Sequence, residues 1–235
     1  MNVVITGASR GIGFETVKAL AKAGVLKIVG ISRNYKQLCE LKELCAQLSM
    51  TEFVPLSYDF QQITTSEPKL SGLIRQHMNH VDILINNAGA LVNKPFEQIS
   101  VDEINRMWTV NYLAPSMLIK NLLPLLKAGQ AHVVNITSLG GFQGSMKFKG
   151  LSHYSSSKAA LASLTECLAE EYKMDGLVFN ALALGAVQTE MLAEAFPNYK
   201  APVTAEQMGE FIANFALNGK SFFNGKILPV SISTP

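Results

Sequence analysis

The chain has 235 residues, a formal net charge of +2, 48% hydrophobic residues and 16% charged ones. This composition excludes a disordered chain and suits one α/β core, and a near-neutral charge without a basic run speaks against nucleic acid as a partner. Cys39, Cys45 and Cys167 are odd in number and lack metal spacing, no apolar run reaches membrane-span length, and the N-terminus is already strand-like with no room for a signal peptide; a reduced, cytoplasmic protein without metal or membrane is expected.

Asn2–Ile5 is a short apolar run, and Phe14–Ala23 has helical composition. Between them lies Thr6-Gly7-Ala8-Ser9-Arg10-Gly11-Ile12-Gly13. Strand, glycine turn and helix in this order aim the helix's free N–H groups and positive dipole end at the turn. That makes an anion site, whose natural occupant in such a unit is the pyrophosphate of a dinucleotide. Side chains at positions 7, 11 and 13 would block close approach of a ligand. The spacing is not G-x-G-x-x-G, and a glycine-rich turn that binds nothing is the competing reading; the flanking strand and helix favour binding. Gly7, Ser9, Arg10, Gly11, Ile12 and Gly13 are therefore expected to hold the cofactor.

Lys27–Ile31 reads as the second strand, and Tyr35–Leu48 as a helix with Leu38, Leu41, Leu44 and Leu48 on one face. The second strand runs into Ser32-Arg33-Asn34, where the adenosine ribose should lie. An acid there would accept from the 2′-hydroxyl of NAD. Arg33, with Arg10 in the turn, instead suits the 2′-phosphate of NADP, because the planar guanidinium fork pairs with phosphate oxygens. Two solvated surface arginines are the alternative, and NAD the alternative cofactor. Glu52–Pro55 is the third strand. Asp59 after it either accepts from the adenine amino group or is a loop aspartate. A helix over Glu67–Met78, a strand over Val81–Ile85 and then Asn86-Asn87-Ala88-Gly89 follow. Val101–Leu126 reads as a long helix interrupted near Pro115 and Pro124. Ala131–Ile136 is the fifth strand, Ser138–Leu151 a loop and Tyr154–Lys173 a helix. Leu177–Leu182, a short segment at Thr189–Phe196, a helix at Ala205–Asn218 and a last strand at Lys226–Val230 complete the chain. This alternation predicts one Rossmann-like domain over residues 1–235: a doubly wound parallel sheet of seven strands, helices on both faces, ligands at the carboxyl ends.

Tyr154 and Lys158 are four apart, which puts both on one helix face. A free tyrosine, with a pKa of about 10, is a poor acid–base catalyst near neutrality. A fixed ammonium beside it stabilises the phenolate, and the tyrosine can then exchange a proton with a ketone or alcohol oxygen. Y-x-x-x-K alone is a weak signal, since both residues are common on helix surfaces. Ser138 strengthens it: it closes the fifth strand at the carboxyl edge, where it can hydrogen-bond and polarise a substrate oxygen. A strand-end or capping serine is its plain alternative.

Taken together these motifs resemble the short-chain dehydrogenase/reductase family from end to end. T-G-x-x-x-G-x-G stands at Thr6–Gly13, N-N-A-G at Asn86–Gly89, an asparagine at Asn111, a serine at Ser138 and Y-x-x-x-K at Tyr154–Lys158. The resemblance implies Tyr154 as general acid/base and Lys158 as the residue that binds the nicotinamide ribose and lowers the tyrosine pKa. It implies that Ser138 holds the substrate carbonyl and that the Asn111 backbone carbonyl, at a break in its helix, holds a water connecting Lys158 to solvent. A kink beside Pro115 is the structural reading of Asn111. Asn86 to Gly89 would support the sheet and pass the adenosine ribose, with Asn87, Ala88 and Gly89 at the cofactor, and Gly185, Val187 and Thr189 would hold the nicotinamide carboxamide. The implied activity is NADP(H)-dependent interconversion of a small-molecule carbonyl and an alcohol, by a homodimer or homotetramer built on the 101–126 helix and the helix after Tyr154, with its small residues Ala159, Ala160, Ala162 and Ser163. A non-catalytic dinucleotide-binding regulator or scaffold is the second reading; a sugar-nucleotide epimerase or dehydratase is the third, with little chain left for a nucleotide-sugar domain.

Three departures from the family pattern carry expectations. Leu184 stands where proline is usual, which would loosen the turn under the nicotinamide. Ser138 and Tyr154 are sixteen positions apart, longer than usual, with the extra residues expected at Ser145–Gly150 over the substrate. The end, Gly225–Ser231, lacks the usual aspartate and glycines, so the wall there would be reduced or completed by a neighbouring subunit. Lys147 and Lys149 in the long loop either steer an anionic substrate or lie on a solvated loop.

Overall fold

The computed structural model describes residues 1–63 and 69–232. Its elements in order are β1 (Asn2–Thr6), α1 (Gly11–Lys22), β2 (Lys27–Ser32), α2 (Tyr35–Leu48), β3 (Glu52–Ser57), α3 (Lys69–Arg75), β4 (Ile83–Asn86), α4 (Val101–Trp108), α5 (Ala114–Gly129), β5 (His132–Ser138), α6 (Ser152–Glu171), β6 (Val178–Leu184), β7 (Val187–Gln188), α7 (Glu190–Ala195), β8 (Val203–Thr204), α8 (Ala205–Asn218) and β9 (Lys226–Val230). Seven strands form one parallel sheet in the order β3-β2-β1-β4-β5-β6-β9. The chain runs outward from β1 to β3, then returns to the other side of β1 with β4. The strand order reverses there, so the connections leaving β1 and β4 diverge and open a crevice at the carboxyl edge.

Burial alternates along the strands as the period of two requires. Val3 and Ile5 face a core built with Val17 and Leu20 of α1, Leu38 and Leu41 of α2 and Ile212 of α8. Val4 and Leu84 face the opposite core, with Ile74 of α3, Leu118 and Leu122 of α5 and Ala169 of α6. Both sheet faces are covered, which is why the strands are nearly continuous runs of Val, Ile and Leu.

Several expectations need correction. On α2, Leu38, Leu41 and Cys45 are buried, while Leu44 and Leu48 are exposed. Cys45 lies two turns beyond Leu38, whereas Leu44 has rotated off that stripe. The third helix ends at Arg75, short of Met78; Glu67 and Pro68 lie outside the described residues. The long helix is not broken at its prolines. Pro115 sits in the first turn of α5, where a missing N–H is harmless, and Pro124 lies within α5 without ending it. The interruption is a π-turn over Thr109–Leu113, in which the Ala114 N–H reaches back five residues to the Thr109 carbonyl. On α6 the small residues divide: a Cβ on Gly141 would come within 2.6 Å of the Ala159 nitrogen and Ala162 is buried, while Ala159 and Ala160 are half-buried and Ser163 is exposed. The strand pair β7–β8, two residues each, is too short to announce itself by pattern.

Candidate active site

The glycine turn leaves β1 and enters α1 without a side-chain cap. The residue before α1, Arg10, makes no capping hydrogen bond, and the first turn carries no acid. Its N–H groups and positive dipole end therefore remain open to an external anion. Two glycines show why no side chain is tolerated. Gly7 has φ +71°, and a Cβ on Gly13 would lie 2.2 Å from the Gly7 carbonyl oxygen. Thr6 and Asn87 lock this turn to the next strand end. The Thr6 hydroxyl accepts from the Asn87 and Ala88 N–H groups, each at 3.0 Å, and Asn87 Nδ2 donates to the carbonyls of Thr6 at 3.0 Å and Gly7 at 3.2 Å. The Asn87 amide thus takes the supporting part expected of Asn86–Gly89, holding the two loops together.

From this turn a cleft of about 510 Å³ runs along the carboxyl edge of the sheet. One end is lined by Ser9, Arg10, Arg33 and Asp59. The Ser9 and Ser32 hydroxyls hydrogen-bond at 2.6 Å, and Arg33 is exposed beside them. Asp59 Oδ1 accepts from the Gln61 N–H at 3.0 Å, so one carboxylate oxygen is used in its own loop. Arg10 is not free: its Nη1 lies 3.4 Å from Glu194 Oε1 of α7, an ion pair spanning the cleft.

The other end gathers Ser138, Tyr154 and Lys158, with Gly185, Val187 and Thr189 opposite. Ser138 ends β5, and its Oγ accepts from the Gly140 N–H at 3.2 Å. Burial raises the Tyr154 pKa above the ordinary phenol value, and a hydrogen bond with Ser138 pulls it partly back. Lys158 is buried and donates to the Ile136 carbonyl at 2.8 Å; burial lowers its pKa to about 8. The expected lowering of the tyrosine by the ammonium is thus not what this arrangement displays. Desolvation dominates both groups, and Ser138 is the neighbour that favours the phenolate.

Asn111 lies behind the cleft wall instead of on it. Its Oδ1 accepts from the Ala90 N–H at 2.8 Å, and its Nδ2 donates to the Ala90 carbonyl at 2.8 Å and to Ser157 Oγ at 3.0 Å. Ser157 Oγ in turn donates to the Tyr154 carbonyl at 2.7 Å. A Cβ on Gly89 would sit 3.5 Å from Asn111 Oδ1 and 3.6 Å from Lys158 Nζ, so Gly89 lies between the two side chains. In the π-turn, the Asn111 carbonyl finds no donor four residues on, because Pro115 has no N–H.

Leu184 does not loosen its turn. It is the last residue of β6, aligned with Ser138 on one side and Val230 on the other, and the Gly185 N–H donates to the Val230 carbonyl at 2.9 Å. Thr189 Oγ1 accepts from the Leu192 N–H at 3.2 Å, capping α7. Lys147 is turned into its own loop, where Nζ donates to the carbonyls of Gly140 at 3.0 Å and Phe142 at 2.6 Å and contacts Ser145 Oγ at 3.1 Å. Steering by Lys147 is thereby withdrawn.

Sequence reasoning overlooked the ties between the walls. Asn93 Nδ2 donates to the Ala195 carbonyl at 2.8 Å, the Lys94 N–H donates to the Gly150 carbonyl at 3.1 Å, and Phe96 stacks on His153 at 5.5 Å between centroids. These join the segment after β4, the loop before α6 and the end of α7. Only Thr189 and Glu190 at the start of α7 signalled a helix there; nothing local signalled its partners. Among the described residues no group of His, Cys, Asp and Glu could hold a metal ion, and no helix is long and apolar enough to cross a membrane.

The family model for short chain dehydrogenase matches residues 1–200. The chain is 34% identical over 197 residues to ketoacyl reductase HetN of Nostoc sp., a stretch covering 82% of this chain and 66% of that protein. It is 30% identical over 249 residues to protein FixR of Bradyrhizobium diazoefficiens, covering 97% and 84%. Among solved structures it is similar to one described as a short chain dehydrogenase of Escherichia coli complexed with NADPH, with a TM-score of 0.88, 25% identity and 97% and 95% of the two chains covered. Levodione reductase shares the fold, with a TM-score of 0.86, 22% identity and 98% and 95% covered.

Proposed function

The chain belongs to the short-chain dehydrogenase family, and we propose that residues 1–235 act as a single NADP(H)-dependent domain interconverting a small-molecule carbonyl and an alcohol. The observation that supports this most is the convergence of Ser138, Tyr154 and Lys158 on one wall of a cleft whose far end is an uncapped helix terminus. The cradle fits a dinucleotide: a pyrophosphate would take the open N–H groups of α1, and Arg33 beside Ser9 and Ser32 would read a 2′-phosphate. Asp59 would keep its second carboxylate oxygen for the adenine, and Gly185, Val187 and Thr189 would border the nicotinamide. When bound, the nicotinamide supplies or accepts the hydride at the carbonyl carbon.

The chain's own residues handle the proton. In reduction, Ser138 Oγ donates to the carbonyl oxygen and polarises it, and Tyr154 gives its hydroxyl proton to the same oxygen as the alkoxide forms. The high tyrosine pKa keeps that proton in place near neutrality. Lys158 would hold the ribose hydroxyls and reprotonate the tyrosine, with the Asn111 carbonyl, which gets no donor from Pro115, holding the water that links Lys158 to solvent.

Nucleotide titration tests the reading, following bound-nicotinamide fluorescence for the wild type, Arg33→Ala and Tyr154→Phe. NADPH should bind the wild type, weaken about tenfold or more in Arg33→Ala with NADH little changed, and bind Tyr154→Phe unimpaired. Tyr154→Phe should lose turnover by a factor on the order of 10² to 10⁴. Equal binding of NADPH and NADH would overturn the NADP assignment; turnover surviving in Tyr154→Phe would overturn the mechanism. The three cysteines are unpaired, which supports a reducing, cytoplasmic setting. A homo-oligomer built on the α5 and α6 faces completes the reading, and sedimentation velocity at micromolar protein tests it.

A further inference from the structure

Resting on the reductase reading, we infer that the substrate is an elongated ketone with an apolar body, and that polyhydroxy and anionic ketones are poor substrates. Around Ser138 and Tyr154 the cleft is walled by Leu91, Met146, Phe148, Leu151, Leu192 and Phe196. Three of the nearby polar side chains are committed elsewhere, and Tyr199 stands half-exposed on the rim. The Thr189 hydroxyl caps α7, the Asn93 amide holds the Ala195 carbonyl, and Lys147 is bound to carbonyls at the base of its loop. A carbonyl oxygen finds Ser138 and Tyr154; further hydroxyls would be desolvated against leucine, methionine and phenylalanine and left unpaired.

Charge points the same way. Glu190 and Glu194, one turn apart on α7, stand over the glycine turn: Glu194 reaches Arg10, and a Cβ on Gly11 would lie 3.4 Å from Glu190 Oε2. These carboxylates stand at the cofactor end; a substrate carboxylate beside Ser138 and Tyr154 would be desolvated against the same apolar walls. Arg106 also lines the cleft, but it shares a helix face with Val110, which packs beside Phe60 and Ala88 under the adenosine end. Length follows from the rim. Met146 is 58% exposed and Phe148 46% exposed while lining the cleft, so apolar surface continues from Tyr154 to the mouth. The ties from Asn93 to Ala195 and from Lys94 to Gly150 hold these walls together, so the slot is formed before substrate arrives.

The test is kcat/KM with saturating NADPH for methyl ketones from butanone to decan-2-one, beside dihydroxyacetone and 4-oxopentanoate. Each added methylene is expected to raise kcat/KM by about fourfold until the slot is filled. Phe148→Ala and Leu192→Ala should each lower that slope. A flat series, or dihydroxyacetone or 4-oxopentanoate outperforming octan-2-one, would overturn the inference and leave the reductase standing. Calorimetric titration of decan-2-one into the NADPH complex of Tyr154→Phe reads the slot without turnover. Binding there that weakens in the Phe148→Ala double variant supports the slot even if no ketone is reduced, in which case only the reductase reading fails; no binding removes the apolar-substrate inference by itself.

Discussion

At the residue scale, the site is governed by desolvation. Lys158 is charged below its lowered pKa of about 8 and loses its proton as pH rises through that value. If its ammonium holds the ribose and feeds Tyr154, kcat/KM for carbonyl reduction should be level up to about pH 8 and fall above it. A profile level to pH 10 would separate Lys158 from the proton path. His132 is a second buried base, far from the cleft, at the start of β5. Its Nδ1 donates to the Ala216 carbonyl at 2.9 Å, and its Nε2 accepts from Asn180 Nδ2 at 3.0 Å. Burial, offset in part by that carbonyl and reinforced by Lys220, lowers its pKa to about 4. The folded state therefore favours the neutral ring. Its contribution is complete above the unfolded value near 6.5 and is lost as pH falls from there through 4. The shift is worth about 3 kcal/mol. Urea denaturation across that window should show the loss in the wild type and a shallower pH slope in His132→Gln, which starts less stable but has no proton to take up.

At the element scale, two local devices position the chemistry. The π-turn between α4 and α5 rotates Asn111 inward, where three hydrogen bonds tie it to Ala90 and Ser157 and so to the helix of Tyr154 and Lys158. The second device is α7, whose Glu194 engages Arg10 across the cleft with both side chains substantially exposed. Such a pair contributes little to stability, up to about 1 kcal/mol. It does, however, occupy a guanidinium that a phosphate would use and sets a negative charge beside an anion site. Glu194→Gln should therefore bind NADPH about two- to fivefold more tightly, with the gain shrinking as salt is raised. Weaker binding in this variant would mean that the α7 contact helps to hold the nucleotide.

At the scale of the whole molecule, the cleft belongs to no single element. It is framed by the ends of β1, β2, β4, β5 and β6, and two separate cores on the two sheet faces hold those ends in register. A ligand lying along this edge stabilises the sheet as a unit. NADPH at a hundred times its Kd should add about 2.7 kcal/mol of unfolding free energy, and for a chain of this size raise Tm by about 5 to 10 °C. Differential scanning fluorimetry with NADPH, NADH and no nucleotide reads this directly, and no shift with either nucleotide would count against the cofactor site.

The sequence by itself determined the alternation of strands and helices, the parallel sheet, the glycine turn and the Tyr154–Lys158 face. Each is a short-range property: a period of two or 3.6, a turn that forbids side chains, a spacing within one helix. The helix bounds Tyr35–Leu48 and Ala205–Asn218 were legible for that reason. Only the tertiary structure decided that Leu44 faces solvent, that the helix break is a π-turn around Asn111, that Leu184 is held between two strands, that Lys147 turns into its own loop and that Arg10 meets Glu194. In most of these the partner comes from another element or from the fold of a loop, and Arg10 and Glu194 are brought together across 184 positions. A charged or polar side chain takes whichever carbonyl, carboxylate or water the packed sheet presents, and that choice exists only once the elements have met.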